Sequence, residues 1–145
     1  IWQEMHNKNK LILTTGPQMR RFFFSIDEAV SLVEFALKNS KKYSGKIVCA
    51  DMKSSKILDV IKVWIKKYGG KYKVIKTREG DRLDEYLIGF NEIDFTYKVK
   101  YNKKLFYIID FDIKPRNPIK KIVSSKTSKK LKENEILELL KIGLK

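Results

Sequence analysis

Two side chains of opposite charge stand three positions apart in the segment 77–85, which reads "TREGDRLDE". Arg78 and Asp81 flank Glu79-Gly80, so their side chains can converge where a loop leads into a helix. A guanidinium donates paired, charge-assisted hydrogen bonds to the oxygens of a diphosphate, and a carboxylate accepts hydrogen bonds from the hydroxyls of a ribose. The spacing therefore fits a nucleoside diphosphate, and it fits equally well a local ion pair on the surface.

Other residues that could do chemistry are poorly placed for it. Tyr72 and Lys76 have the Tyr-x-x-x-Lys spacing of short-chain dehydrogenases, but that pair works on a helix, and on the strand predicted here four residues span about 13 Å. Asp110 and Asp112 share a strand face without an evident third metal ligand, so we interpret them as solvated carboxylates. The single histidine, His6, cannot form a zinc site or a triad by itself and is expected at the surface. We predict no catalytic residue and no metal site in this chain.

The composition predicts one folded domain in the cytoplasm. The chain has 145 residues, of which 43% are hydrophobic and 12% aromatic, too apolar for a disordered tail. No apolar run approaches the roughly 18 residues that a membrane helix needs, and the first residues do not resemble a signal peptide. The single cysteine, Cys49, excludes an internal disulfide and is typical of a reducing compartment. We therefore expect residues 1–145 to form a single domain without a membrane partner.

The net charge of +15 indicates either an anionic partner or a lysine-rich, solvated surface. Of the 32 basic residues, 27 are lysine and 5 are arginine, whereas phosphate and base recognition favours the planar fork of arginine. A solvated surface is therefore the preferred interpretation. A basic module that binds nucleic acid or another polyanion is the alternative.

Hydrophobic periodicity predicts an α/β fold, with a small mixed sheet packed by three to four helices. Residues 1–10 resemble the end of a helix, and Ser25 begins another with a capping box completed by Glu28. Ser54 or Ser55 can cap a third helix, which two glycines stop at 69–70. The other predicted elements are helices over 83–88 and 133–142 and strands over 11–15, 21–25, 46–50, 71–76, 95–101 and 105–113.

Two of these helices carry apolar residues at helical spacing, the pattern typical of amphipathic helices. In the helix after Ser25 the repeating residues are Ile26, Val30, Val33 and Leu37. In the next helix they are Leu58, Ile61 and Ile65, widened by Ile57 and Trp64.

Four blocks of the sequence together resemble one protein family. They read "TTGPQMRRFFFSIDEAVSLVEFAL", "GKIVCADMKSSKILDVIKVW", "IKTREGDRLDEYLI" and "SSKTSKKLKENEILELL". In order and spacing they resemble the C-terminal part of the UDP-N-acetylglucosamine 4,6-dehydratases of polysaccharide biosynthesis, which are extended short-chain dehydrogenase/reductases. The corresponding family blocks are Met-Thr-Arg-Phe, Asp-Glu-Ala-Val, Arg-Pro-Gly-Glu-Lys-Leu-His-Glu and a terminal Ser-Ser-x-Asn. The resemblance covers nearly the whole chain.

The resemblance implies a substrate-binding role for four residues. In the family, the arginine and the first glutamate of Arg-Pro-Gly-Glu contact the UDP part of the substrate, and these positions fall on Arg78 and Asp81. A threonine that ends the strand before Met-Thr-Arg-Phe, here Thr15, also touches the substrate. The arginine of Met-Thr-Arg-Phe falls on Arg21, as a second cation beside the phosphates or as a structural anchor.

The chain departs from the family pattern at several of these positions. Glu79 replaces the proline, Asp81 is one methylene shorter than the glutamate, and Asp84 replaces the histidine. Arg20 stands where the family has threonine, and the residues 126–128 lack the expected asparagine. A shorter acid can still reach a ribose, but a loop without the proline is less rigid. Substrate binding is therefore altered, or selection on it has relaxed.

The resemblance also implies that catalysis needs residues outside this chain. The family oxidises the sugar at C4, eliminates water across C5–C6 and returns the hydride to C6. It does so with NADP or NAD in a Rossmann half and a Tyr/Lys pair, all N-terminal to the part that matches. We therefore expect this chain to be a C-terminal substrate-binding lobe, without a cofactor of its own. Its expected partners are a UDP-sugar and a Rossmann catalytic half or a second copy, and nucleic acid is not expected.

Overall fold

The structure, a computed structural model, describes residues 2–77 and 79–142. The described residues form four α-helices: α1 (Trp2–Asn9), α2 (Ile26–Lys38), α3 (Ile57–Tyr68) and α4 (Glu133–Ile142). They also form nine strands: β1 (Leu11–Thr14), β2 (Arg20–Phe23), β3 (Ile47–Ala50), β4 (Lys53–Lys56), β5 (Lys71–Val74), β6 (Tyr86–Ile88), β7 (Thr96–Tyr101), β8 (Lys104–Ile109) and β9 (Val123–Ser124). A short 3-10 helix, Ile93–Phe95, leads into β7.

The strands are shared among several small sheets. β1 and β5 pair in parallel, whereas β2 with β4 and β6 with β9 pair antiparallel. β3, β8 and β7 form a three-stranded antiparallel sheet with β8 in the centre. The predicted fold class, a small mixed α/β structure packed by helices, is confirmed.

Buried side chains join the helices to the sheets in three clusters. Alternate residues of β8 face opposite sides of its sheet. On one side Phe106 stacks on Phe35 of α2, with the ring centroids 4.2 Å apart and the rings nearly parallel. On the other side Tyr107 and Ile109 pack against residues of β6 and of the segment before β9. The third cluster joins α3 to α4 through Val60, Val63 and Ile136.

The helix α2 begins as predicted but turns an unexpected face towards the core. Ser25 Oγ accepts a hydrogen bond from the Glu28 backbone N–H, and the Glu28 carboxylate accepts one from the Ser25 N–H, so the capping box is confirmed. The buried residue of the helix is Phe35, because its ring fits between the rings of neighbouring elements. The regularly spaced apolar residues are instead 50% to 69% exposed: Ile26, Val30, Val33 and Leu37.

The helix α3 confirms one predicted boundary and contradicts the other. Gly69 caps its C-terminal end, and its backbone N–H donates to the Ile65 carbonyl. At the N-terminal end the cap is Lys56, whose side chain makes no capping hydrogen bond. Ser54 and Ser55 are buried in β4, so the predicted serine cap is wrong. Pairing of β4 with β2 draws both serines into a sheet, and the helix starts only after that strand ends.

The predicted short helix over 83–88 is also wrong. Its second half forms β6, in which Tyr86 lies opposite Ser124 and Ile88 opposite Val123 of β9. Ile88 is fully buried beneath the three-stranded sheet. A partner strand far along the chain and a buried apolar site override the local preference for helix.

His6 is buried, contrary to the prediction of a surface residue. It lies on α1 with 6% of its surface exposed, and its Nε2 is 3.2 Å from the Gly69 carbonyl oxygen. Its ring meets the edge of Trp64, with centroids 5.9 Å apart. The histidine therefore links α1 to the end of α3. The two helix ends lie close together because β5, which follows α3, begins beside the end of α1.

Among the described residues, no helix is both long and apolar enough to cross a membrane. Nor do the His, Cys, Asp and Glu side chains of residues 2–77 and 79–142 include a group of three placed to hold a metal ion.

Candidate functional site

The loop that carries Asp81 is held at both ends against the segment between β1 and β2. At one end, the Ile75 N–H donates to the Thr14 carbonyl over 2.9 Å. At the other end, the Arg20 N–H donates to the Leu83 carbonyl over 2.8 Å. The parallel pairing of β1 and β5 sets the first contact, because both strands end at the same edge. The two bonds therefore hold residue 75 beside the end of β1 and residue 83 beside the start of β2.

Two of the predicted substrate-binding residues lie in this region, and a third falls outside the described residues. Thr15 directly follows β1 and is partly buried, whereas Asp81 is exposed in the loop, two residues before the Leu83 contact. Arg78 lies outside the part of the chain that the structure describes. The backbone thus brings the loop of Asp81 to the strand end of Thr15, as the sequence prediction requires. Whether these side chains bind a substrate stays a prediction.

Two residues that depart from the family pattern are partners in the structure. The guanidinium of Arg20 meets the carboxylate of Asp84 through two hydrogen bonds, of 2.5 Å from Nε and 3.1 Å from Nη2. Both side chains are about four-fifths buried, with 18% of each exposed. The hydrogen bond from Arg20 holds the pKa of Asp84 below its usual range, and Asp84 in turn raises the pKa of Arg20. This pair of hydrogen bonds, the Arg20–Asp84 fork, therefore holds the end of the loop against β2.

Arg21, the fourth predicted site residue, also holds the loop. Its Nη1 donates to the carbonyls of Arg20, over 2.8 Å, and Arg82, over 3.0 Å. Its Nε lies 3.2 Å from a carboxylate oxygen of Glu85. These contacts are those of a structural anchor, one of the two roles expected for it. A role beside the phosphates stays a prediction.

The late Ser-Ser segment reaches the same region from the far end of the chain. The Ser125 N–H donates to the Glu85 carbonyl over 2.8 Å, and the Glu85 N–H donates back to Ser125 Oγ over 3.0 Å. This reciprocal contact follows from the pairing of β9 with β6. Sequence reasoning did not place Ser125 here, although "SSKT" stood among the blocks of the resemblance. Three of those blocks therefore meet around the loop.

The remaining candidate residues do not form a site. Tyr72 lies on β5, and Lys76 follows the end of that strand, so the two have no common helix. Asp110 is 5% exposed and pairs with Lys46 Nζ at 2.5 Å, so its interpretation as a solvated carboxylate is wrong. The strand β8 ends at Ile109, and the Asp110 carboxylate accepts hydrogen bonds from the backbone N–H groups of Asp112 and Ile113. The hydrogen bond from Lys46 is the main reason that the pKa of Asp110 is lowered.

Comparison with known proteins identifies the family. Residues 1–107 match the sequence pattern of the family described as "Polysaccharide biosynthesis protein". The chain belongs to this family of polysaccharide biosynthesis proteins. The match includes the end of β1, β2 and the whole loop between β5 and β6. The family level of the resemblance is thereby confirmed.

One relative and one solved structure of similar fold are each more than twice as long as the part they share with this family member. A protein of Methanocaldococcus jannaschii named as an uncharacterized membrane protein is 32% identical over 150 residues, which cover 97% of this chain and 44% of that protein. The X-ray structure of Pen from Bacillus thuringiensis superposes with a TM-score of 0.79 at 20% identity, over 98% of this chain and 43% of that one. The latter likeness concerns the fold alone. The chain thus spans less than half the length of both.

Proposed function

We propose that this polysaccharide biosynthesis protein is the UDP-sugar-binding part of a nucleotide-sugar 4,6-dehydratase or 5-epimerase that acts on UDP-N-acetylglucosamine. One observation carries the proposal: the loop of residues 75–83 is tied at both ends to the segment that begins with Thr14. In the sequence, Arg78 and Asp81 lie between the two ties, and Thr15 directly follows Thr14. All three positions match substrate-contacting positions of the family that the sequence resembles.

Each of these residues has a distinct part in the proposed site. Arg78 binds the diphosphate, because a guanidinium donates to two oxygens at once. Asp81 accepts hydrogen bonds from the ribose hydroxyls. Thr15 contributes a hydroxyl at the end of β1. The Arg20–Asp84 fork and Arg21 hold the loop without the rigidity that proline gives in the family.

The chain by itself is proposed to bind the nucleotide weakly and to catalyse nothing. The NADP or NAD cofactor and the Tyr/Lys pair belong, in this proposal, to a Rossmann catalytic half that also works in the cytoplasm. The UDP-sugar is then held between this chain and the catalytic half. This chain binds the nucleotide and presents the hexose to the catalytic half.

The exposed apolar face of α2 supports the presence of a second domain or subunit that covers it. The outward stripe of α2 adjoins a cavity of about 680 Å³, lined largely by apolar side chains including Phe24 and Leu32. We propose that the catalytic half covers this face, because the relative and the solved structure each have more than half their length outside the shared part. A second copy fits less well. The carboxylates of Asp27 and Glu34 border the stripe, and a symmetric helix pair would bring them together.

Sedimentation of the chain alone tests which body covers α2. We expect a monomer, and we expect Val33→Asp to sediment identically, because the half that covers the stripe is missing from the sample. A dimer that Val33→Asp disperses would show that a second copy occupies this face and would overturn the assignment.

Calorimetric titration with UDP tests the nucleotide site. We expect Arg78→Ala to weaken UDP binding by about tenfold or more, because a hydrogen bond to a charged group contributes about 1.5–3 kcal/mol. Asp81→Asn should weaken the binding of UDP, because UDP has a ribose, and should leave the affinity for inorganic pyrophosphate unchanged. Arg116→Ala, which removes the same charge from an exposed position outside the loop, is the control. UDP binding that is indifferent to Arg78→Ala would contradict the proposed function.

A further inference from the structure

A second candidate site lies away from the loop, in a cavity of about 690 Å³ between the three-stranded sheet and the segment 117–129. Apolar side chains, among them Leu105 and Ile119, form part of its wall. Four lysines also line it: Lys98, Lys120, Lys121 and Lys129. Among the described residues that line the cavity, the one carboxylate is that of Asp51.

The lysines of this cavity lack the partners that other lysines have. Lys46 is paired with Asp110, and Lys66 with Glu133. Within the described part of the chain, none of the four cavity lysines forms an ion pair. The Asp51 carboxylate accepts a hydrogen bond from the Tyr107 hydroxyl over 3.1 Å. Lys98 Nζ lies 5.8 Å from the centroid of the Tyr107 ring. The cavity therefore has an excess of positive charge, with four lysines against the one carboxylate of Asp51 among its described lining residues.

The walls that carry these lysines are held by backbone hydrogen bonds. The Ile119 N–H donates to the Thr96 carbonyl over 2.8 Å, which places the two lysines after it beside the sheet. The Lys129 carbonyl accepts from the Ser54 N–H over 2.9 Å. The lysines are thus attached to backbone segments that hydrogen bonds hold in place. The Ser128 hydroxyl is buried in the same wall and has no hydrogen-bond partner among the described residues.

We propose that this cavity binds a small polyanion, a molecule with at least two phosphate or carboxylate groups. Like charges gathered around one concavity repel each other, and an anion relieves that repulsion while it gains contacts with ammonium groups of the lining lysines. The volume is in the range of small-molecule sites. Ammonium groups on flexible stems suit several anionic groups in an irregular arrangement better than one planar group.

Titration with inorganic pyrophosphate and with citrate tests this site and distinguishes phosphate from carboxylate ligands. We expect the double variant Lys120→Gln/Lys121→Gln to weaken binding of the preferred anion by about tenfold or more, since each lost ammonium removes a short-range attraction. The matched control is Lys62→Gln/Lys67→Gln on α3, which changes the net charge equally at exposed positions outside the cavity. We expect less than a twofold effect from it. Arg78→Ala should leave citrate binding unchanged, which separates this site from the nucleotide loop.

Three results would overturn the assignment. One is equal weakening by both double variants, which would show that the anion samples the whole basic surface. Another is the absence of saturable binding of either anion at low salt. The third is tight binding of a random DNA duplex that many lysine variants weaken alike and that salt removes steeply, which would indicate a nucleic-acid surface. Unchanged thermal midpoints of all variants would show that the differences are not caused by unfolding.

Discussion

Phe35→Ala is expected to lower the free energy of unfolding by about 3–5 kcal/mol, the range typical of a fully buried phenylalanine. The side chain is 1% exposed and is stacked on Phe106. It also meets the rings of Tyr43 and Tyr101, at centroid distances of 5.6 and 5.3 Å. Alanine would leave a cavity among three aromatic rings that belong to different elements. Urea unfolding followed by circular dichroism measures the loss.

The same helix offers a matched control. Val33→Ala removes an apolar side chain that is 57% exposed, so the free energy of unfolding should change by no more than about 0.5 kcal/mol. Alanine also has the higher helix propensity, which favours the folded state slightly. Comparable losses for the two variants would mean that the stripe of α2 is buried in the isolated chain, and the arrangement described for α2 would be wrong.

Gly70→Ala is expected to be the most damaging of the glycine replacements between α3 and β5. Gly70 has a φ of +97°, and an added Cβ would lie 2.6 Å from the Lys10 carbonyl oxygen and 3.1 Å from His6 Cδ2. The same carbonyl accepts the Lys71 N–H over 2.8 Å at the start of the β1–β5 pair. The methyl group must therefore push the strands apart, at a cost of about 1–3 kcal/mol beyond that of the left-handed backbone.

The variant Gly69→Ala separates the backbone cost from the cost of steric contact. Gly69 also has a positive φ, +76°, but nothing lies within 4 Å of an added Cβ. Gly69→Ala should therefore lose only the backbone cost, about 1–3 kcal/mol, because its φ of +76° and ψ of −170° lie in a region that is nearly exclusive to glycine. Urea unfolding gives both losses, and amide exchange at Ile75 reports on its bond to Thr14. Equal losses, with Ile75 still protected in Gly70→Ala, would show that strand contact at Gly70 does not position the loop that carries Asp81.

The features that the sequence predicted correctly are mostly those that neighbouring residues determine. The capping box of α2 joins Ser25 to Glu28, and the stop of α3 needs only the glycine that follows it. The strands β1, β2, β3, β5, β7 and β8 and the last helix also follow from local pattern. The family resemblance rests on blocks of this local kind, and the match over residues 1–107 confirms it at the level of the polysaccharide biosynthesis family.

The sequence misjudged residues whose partners lie far along the chain. His6 is buried because the end of α3, 63 positions away, lies against it. Asp110 is buried because Lys46 and two following backbone groups satisfy its carboxylate. The second half of the segment 83–88 forms a strand because β9 supplies its hydrogen bonds. Local preferences of about 1 kcal/mol or less per residue cannot compete with such contacts.

The sequence by itself determined the α/β class, the capping box of α2, the glycine that stops α3 and the family to which the chain belongs. Only the tertiary structure decided which face of α2 is buried, and it joined Arg20 to Asp84 and brought Ser125 to the loop. The physical reason is one of range. Caps and periodicity act within a few residues, whereas a salt bridge or a strand pair over 40 to 64 positions exists only after the chain has packed.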